Sequence, residues 1–176
     1  LPVFVPEASI QAIQPIQQDF HFEGFYAPTI LFQDPCAIQE RSKSLGDPEV
    51  FQLLSYAEPF DQTCHCDAEI LIAENGQLNA LRLITKNILA INMHTCSTVD
   101  WHTQYVIVPL AAPIAVSKGD HISIRFSYQG GAPLSALSDS LEVCLVNKHM
   151  PVLELALEAL NHTTESQSNI PQMQHY

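Results

Sequence analysis

Alternation of apolar and polar side chains is the dominant pattern in the middle of the chain. In residues 64–72 the small and aliphatic side chains occupy one parity, while His65, Asp67 and Glu69 occupy the other. Residues 121–128 repeat this pattern, with isoleucine and phenylalanine on the inward parity. Because successive side chains of a strand point to opposite faces, both segments are predicted to be strands with one solvated face.

Turn residues divide the rest of the chain into further strands. The dipeptide Asn75-Gly76 predicts a hairpin that joins residues 64–72 to a long apolar return strand over residues 78–93. Residues 1–18 contain three prolines among β-branched residues, so an extended but interrupted segment is expected there. The other predicted strands cover residues 19–24, 104–110, 114–116 and 139–147.

Two short helices are predicted beside the strands. Asp47 is placed to cap the first helix and Pro48 to occupy its first turn, and residues 50–54 supply its apolar side. The second helix is predicted over residues 151–160, where leucine and alanine recur at helical spacing opposite two glutamates.

Together these elements predict a mainly β fold, a β-barrel or sandwich-like barrel with one or two short helices. The length of 176 residues, with 47% hydrophobic and 15% charged residues, suits a single globular domain with a sizeable core. We assign residues 1–161 to one β-barrel-like domain and residues 162–176 to a loosely ordered tail.

The net charge is −12, from 19 acidic and 7 basic residues. This sign repels phosphates, so direct binding to nucleic acid or to an anionic membrane is disfavoured, and no apolar run reaches the ~20 residues of a membrane span. A basic partner, such as an Arg- or Lys-rich protein segment, suits the charge. An acidic surface that only maintains solubility is the other interpretation.

The cysteines do not form a recognisable disulfide framework. They are odd in number, without regular spacing, at Cys36, Cys64, Cys66, Cys96 and Cys144. Cys66 is followed by acidic residues and has no nearby base that would lower its thiol pKa. A reducing cytoplasm is therefore the predicted location.

The sequence holds no motif for a nucleotide or a cofactor. A dinucleotide, phosphate or S-adenosylmethionine loop needs glycines between a strand and a helix, so that the backbone can approach the ligand. Only Gly130 and Gly131 are close together, and neither is predicted to follow a strand that opens a helix. Because a nucleophile elbow and a His-Glu-x-x-His motif are also missing, we assign no catalytic residue and no bound cofactor.

Two groups of cysteine and histidine could hold a metal ion if their strands paired. They are Cys64, His65 and Cys66, followed by His94 and Cys96. Structural zinc sites use wider ligand spacing, and a Cys-x-Cys inside an alternating strand is more often two small buried residues. We therefore assign no metal ligand and keep zinc as an alternative.

The candidate site of the sequence surrounds its single tryptophan. The residues assigned to it are Asp100, Trp101, His102 and Gln104. They lie at a predicted strand entry, where a His–Asp pair beside an aromatic face could orient an acid or base or hold a cationic ligand. A tryptophan packed at a barrel rim among solvated neighbours is the alternative.

A resemblance to a known family lies in the same stretch. Residues 101–104 read Trp-His-Thr-Gln and precede a strand, and residues 117–120 read Ser-Lys-Gly-Asp before the next strand. This order resembles the C-terminal β-barrel domain of the protein arginine methyltransferases and related S-adenosylmethionine-dependent methylases. In that family a Thr-His-Trp loop precedes a strand carrying Gln, whereas residues 100–102 read Asp-Trp-His here.

The resemblance implies a division of labour. This chain would be an accessory substrate-side β-barrel, inactive alone, of an enzyme that methylates protein or RNA. S-adenosylmethionine would be bound by an α/β domain on the same polypeptide or on a partner, and the substrate would be a basic protein. A homodimer is also implied, with residues 47–54 as a reduced form of the family's helical dimerisation arm and His102 as its site-ordering histidine.

Two other functions fit the sequence. A stand-alone β-barrel or sandwich could bind a partner or ligand without catalysis, through its acidic surface and the loop around Trp101. A small metal-dependent barrel enzyme of the cupin kind could use His94, His102 and His121, although the usual His-x-His pair of cupins is missing.

Overall fold

The computed structural model describes residues 6–35, 40–59, 61–101 and 103–146. Within these ranges one helix, α1 (Leu134–Ser140), accompanies twelve strands, and no helix has the length and apolar character that a membrane crossing requires. The strands are β1 (Ala8–Gln18), β2 (His21–Phe22), β3 (Phe25–Tyr26), β4 (Leu31–Gln33), β5 (Ser42–Ser44), β6 (Glu49–Ser55), β7 (Thr63–Leu71), β8 (Gly76–Asn92), β9 (Ser97–Trp101), β10 (Tyr105–Val116), β11 (His121–Gln129) and β12 (Glu142–Val146).

These strands form two main antiparallel sheets. The large sheet has the order β4-β10-β8-β1-β5, with β6 also paired to β1 and β9 also paired to β8. The small sheet has the order β12-β11-β7, and β2 pairs with β3 as a separate short hairpin. The prediction of a mainly β fold with a short helix is therefore confirmed.

The main hydrophobic core is built from the facing sides of the two sheets. Its fully buried side chains include Ile13, Leu81 and Val108 of the large sheet and Ile72, Ile122 and Ile124 on the side of the small sheet. A second cluster contains Ile16, Ala80 and Ile107, which take the opposite parity of the large-sheet strands, together with Phe20, which follows β1. Both faces of the central large-sheet strands are thus buried, which explains why β8 is apolar over much of its length.

The alternating segments form strands as predicted. In β7 the side chains of Cys66, Ala68 and Ile70 are buried while the intervening ones are exposed. In β11 the buried parity includes Ile122 and Ile124, as expected. The small sheet therefore has one dry and one wet face.

The hairpin predicted at Asn75-Gly76 is wrong. The strands on either side, β7 and β8, lie in different sheets, so this turn carries the chain from one sheet to the other. A Cβ atom on Gly76 would lie 2.6 Å from Leu45 Cδ2 and 2.8 Å from Gln17 Oε1. Glycine is favoured there because of close packing rather than because of hairpin geometry.

The helix predicted from Asp47 onward is also wrong, because residues 49–55 form strand β6. Antiparallel pairing with β1 runs from Ala8 opposite Ser55 to Ile13 opposite Glu49, with a bulge between Gln11 and Ala12. Tertiary pairing thus overrides the local capping signal. Because residues 49–55 form a strand, the prediction that this segment is a reduced helical dimerisation arm is also wrong.

The strand predicted over residues 139–147 is shorter than expected. Helix α1 occupies residues 134–140 behind Pro133, and β12 begins only at Glu142. Leu137 explains the difference, because it is buried against the main core from the helix. The predicted helix over 151–160 and the boundary at residue 161 lie outside the described residues.

Gly130 and Gly131 do follow a strand and precede a helix, contrary to the sequence prediction. The strand after α1, β12, runs antiparallel to β11. A dinucleotide-binding motif belongs to a parallel strand–helix–strand unit, so this arrangement does not form one.

Candidate functional site

The Trp101 loop is our name for residues 100, 101, 103 and 104, of which the first two end β9 and the last two immediately precede β10. β9 pairs with the outer half of β8, which sets Trp101 opposite Asn87. The Trp101 side chain is 59% exposed. It is thus not buried against the rim of the sheet, and its aromatic face is accessible to a ligand.

Two contacts attach the Trp101 loop to β8. The Thr103 hydroxyl donates a hydrogen bond to the backbone carbonyl of Thr85. Asp100 Oδ2 lies 3.5 Å from Lys86 Nζ. The Asp100 carboxylate therefore has a cation beside it already, and an ion pair of this partly exposed kind contributes only about 0–1 kcal/mol to stability.

Of the other two residues predicted for the site, the structure describes Gln104. Gln104 is exposed immediately before β10, so its amide is accessible. His102 lies outside the described residues. The role that the family resemblance implies for His102 therefore stays a prediction.

The two cysteine and histidine groups are not brought together. Cys64 and Cys66 lie on β7, which pairs with β11, whereas His94 and Cys96 lie in the turn between β8 and β9 of the other sheet. The two segments therefore do not pair, as the zinc alternative would require. In the part of the chain that the structure describes, no three His, Cys, Asp or Glu side chains are grouped so that they could hold a metal ion.

His94 and His121, two of the three histidines of the cupin-like alternative, are also separated. His121 begins β11 in the small sheet, and its Nδ1 lies 2.8 Å from Glu69 Oε1. His94 lies in the turn that closes the β8–β9 hairpin. The third, His102, lies outside the described residues.

Burial raises the pKa of both cysteine thiols on β7. The pKa of Cys66 is raised to about 12, first by desolvation and then by the neighbouring Cys64 and Asp67. Desolvation also raises the pKa of Cys64. Since the thiolate is the reactive form, Cys66 is a structural residue of the core.

We predict that Cys66 resists thiol reagents in the folded chain. At pH 8 its thiolate fraction is on the order of one in ten thousand, whereas Cys96 and Cys144 are exposed. Alkylation followed by peptide mapping should modify Cys96 and Cys144 first and Cys66 only after unfolding. Rapid native labelling of Cys66 would contradict the burial described.

An open cleft of about 500 Å³, which we name the inter-sheet cleft, is lined by residues of both sheets. Its lining includes residues from strands of both sheets and from α1. Most of its lining is apolar. The lining residues are Gln11, Phe51, Gln52, Leu54, Asp61, Gln62, Cys64, Leu83, Thr85, Val106, Phe126, Tyr128, Gly130, Leu134 and Leu137.

Several polar groups of the inter-sheet cleft are already hydrogen-bonded. Gln11 Oε1 accepts a hydrogen bond from the Thr85 hydroxyl at 2.8 Å, and Gln11 Nε2 donates to the Ser9 hydroxyl at 3.1 Å. The Tyr128 hydroxyl donates to the backbone carbonyl of Ala132. These groups are held in place by the protein itself.

Asp61 supplies a negative charge to the inter-sheet cleft. Its Oδ1 accepts a hydrogen bond from the Thr63 backbone amide at 2.8 Å. That hydrogen bond is the main reason why the pKa of Asp61 is lowered, so the carboxylate is ionised at neutral pH. The side chain is exposed to solvent.

Sequence reasoning missed the inter-sheet cleft. Its residues come from six strands of both sheets, two loops and a helix, and no local motif connects them.

Thr85 connects the Trp101 loop to the inter-sheet cleft. Its carbonyl accepts the hydrogen bond from Thr103, and the same residue lines the cleft. The predicted site and the observed cavity are therefore neighbours along β8.

A second depression, of about 440 Å³, is polar and holds paired charges. The Arg41 guanidinium donates to the His21 carbonyl, lies 3.6 Å from Asp19 Oδ2 and stacks 4.3 Å from the centre of the Phe22 ring. The charges of Arg41 and Asp19 in this depression are therefore already paired with each other.

Of the comparisons with known proteins, the one with solved structures finds similar chains. No protein-family model matches the chain, and no curated protein sequence matches it. Among solved structures, the chain is similar to one in the Trypanosoma brucei PRMT1 enzyme–prozyme heterotetrameric complex with AdoHcy, with a TM-score of 0.51 and 11% sequence identity. The match covers 71% of this chain and 48% of that chain, so this chain spans about half the length of its structural neighbour.

At this level of identity the comparison establishes a shared fold and no more. The described fold is similar to part of a chain in the PRMT1 complex. Function is a separate question, because one fold can carry many activities.

Proposed function

We propose that this chain is the substrate-side β-barrel domain of a protein arginine methyltransferase-like enzyme. S-adenosylmethionine would be bound by an α/β domain on the same polypeptide or on a partner. This chain would bind and position the substrate and would be inactive alone.

Two independent observations support the proposal. The structural neighbour comes from a PRMT1 complex that contains AdoHcy, the demethylated form of the methyl donor. The sequence resemblance lies in residues 101–120, whose described part comprises the end of β9, β10 and the turn toward β11. The neighbour is an enzyme–prozyme heterotetramer, which favours a partner subunit or dimer for this chain as well.

The exposed ring of Trp101 is the chemical feature that supports the proposal most directly. A guanidinium can stack on an indole face, which contributes about 0.5–1 kcal/mol at an exposed site. Methyl transfer is a displacement in which positioning supplies much of the rate, so a wall that holds the acceptor is a useful contribution. The net charge of −12 favours the approach of a basic substrate.

Substitution of Trp101 tests this role. We expect Trp101→Ala to weaken binding of an Arg-rich peptide about two- to fivefold, because the stacking face is lost. Isothermal titration at low salt measures the effect. Val99→Ala is the matched control, because Val99 is also exposed on β9, at 53%, and has no aromatic face.

The same titration checks the division of labour. Binding of the Arg-rich peptide that resists Trp101→Ala, or that is equally sensitive to Val99→Ala, would contradict a substrate-side role for the loop. Binding of S-adenosylmethionine to this chain alone would show that no separate cofactor domain is needed.

A stand-alone binding module without catalysis is the second candidate function. The observation that favours it is the inter-sheet cleft, which is formed entirely within this chain. It becomes the better explanation if the Arg-rich peptide does not bind while the cleft takes up a small ligand.

A further inference from the structure

The inter-sheet cleft has the size and surface of a small-molecule site. Its volume of about 500 Å³ lies within the range of ligand pockets, which is roughly 300–1,000 Å³. Phe51 and Phe126 meet edge to face in its lining, with ring centroids 5.4 Å apart. Leu83 and Val106 add aliphatic surface that is only partly buried. Water in this space faces apolar side chains, so an apolar ligand that displaces it gains binding free energy.

The charge of the cleft favours a ligand of positive charge. Of the described residues that line it, Asp61 is charged and none is basic. Within the described ranges, no Lys or Arg forms an ion pair with Asp61, unlike Asp67 and Asp100. The whole chain carries −12, which disfavours an anionic ligand further.

Amide groups next to Asp61 add hydrogen-bonding capacity. Gln52 and Gln62 line the cleft, and in the described part of the chain neither side chain is engaged in a hydrogen bond. A side-chain amide oxygen can accept from an ammonium or guanidinium group. Gln11 and Tyr128, by contrast, already have partners in the protein.

We propose that the inter-sheet cleft binds an amphiphilic cation, a small molecule with an apolar body and one ammonium or guanidinium group. The apolar body occupies the space between Phe51 and Val106, and the cationic group lies beside Asp61. This inference does not depend on the proposed methyltransferase role.

A matched series of probes tests the class of ligand. Phenylbutylammonium, phenylbutanol and phenylbutyrate share one apolar body and differ in charge. Titration of the full chain at low salt should give the tightest binding for the ammonium, about three- to fivefold tighter than for the alcohol, and the weakest for the carboxylate. Equal affinity for all three, or preference for the carboxylate, would overturn the proposal.

Asp61→Asn isolates the charge from the shape. It should remove the preference for phenylbutylammonium while leaving the affinity for phenylbutanol unchanged. Asp67→Asn is the control, because Asp67 is exposed on β7, outside the cleft, and the substitution makes the same change in net charge. If Asp67→Asn reduces the preference as much as Asp61→Asn, general electrostatic attraction explains the binding and the specific site is refuted.

Cys64 reports where the probe binds without any substitution. It lines the cleft and is half-buried, whereas Cys96 and Cys144 are exposed outside it. Saturating phenylbutylammonium should slow alkylation of Cys64 at least severalfold and leave Cys96 and Cys144 unchanged, as measured by peptide mapping. Unchanged labelling of Cys64 under saturation would place the probe elsewhere and refute the cleft as its site.

Discussion

Gly46→Ala is expected to lower the free energy of unfolding by about 2–4 kcal/mol. A Cβ at this buried position would lie 2.8 Å from the backbone oxygen of Leu71 and 3.1 Å from Pro15 Cγ. The backbone oxygen cannot move aside as a side chain can, so the chain itself must shift. The Gly46 carbonyl also accepts a hydrogen bond from Gln14 Nε2 at 3.0 Å, and that shift would weaken it. Urea denaturation followed by circular dichroism measures the loss.

Asp47→Ala is the control for this prediction. Asp47 is the next residue in the chain and is exposed, so its substitution should change the free energy of unfolding by less than about 0.5 kcal/mol. An unchanged denaturation midpoint for Gly46→Ala would mean that the chain has room at this position, against the close approach described.

Ile124→Ala is expected to lower the free energy of unfolding by about 3–4 kcal/mol, because it removes three buried carbon atoms from the main core. Ile124 is fully buried on β11, the central strand of the small sheet. Its neighbours are held by pairing on both sides, with Val143 of β12 and Ala68 of β7 opposite it. The cavity therefore cannot close easily, and the same denaturation experiment measures its cost.

Arg125→Ala is the matched control on the same strand. Arg125 points to the opposite, solvated face, where its Nε lies 3.2 Å from Asp67 Oδ1. Because both partners are exposed, Arg125→Ala should lower the free energy of unfolding by less than about 1 kcal/mol. Similar losses for Ile124→Ala and Arg125→Ala would show that β11 does not have one buried and one wet face.

The two proposed binding regions can be separated by single substitutions. Trp101→Ala should affect binding of an Arg-rich peptide, and Asp61→Asn should affect the preference for a small amphiphilic cation. Both regions contact Thr85, so we expect the small cation to change the affinity for the peptide only if its binding displaces that residue. Titration of the peptide in the presence and absence of the small cation measures such a coupling directly.

Strand formation in the small sheet could be predicted from the sequence. The alternation in β7 and β11 is strict, because one face of each strand contacts the core and the other contacts water. The apolar character of β8 likewise agrees with its central place in the large sheet. Periodicity of this kind is a local property, so it can be recognised without knowledge of the partner strands.

Local signals gave the wrong answer where a distant partner decides the structure. Residues 49–55 follow a good helix start, yet they pair with β1 more than thirty positions earlier in the chain. Gly76 has the sequence of a hairpin turn, yet it packs against Leu45 between two sheets. Each outcome depends on a contact that is remote in sequence.

The sequence by itself determined a mainly β fold, its alternating strands, and Trp101 as an aromatic residue among polar neighbours. Tertiary structure decided the rest: which strands share a sheet, that the cysteine and histidine groups lie apart, and that Asp61 meets an apolar cleft. The reason is physical. Alternation records only whether a side chain faces water, whereas a cavity or an ion site requires side chains from separate strands to meet, and that is fixed only when the sheets pack.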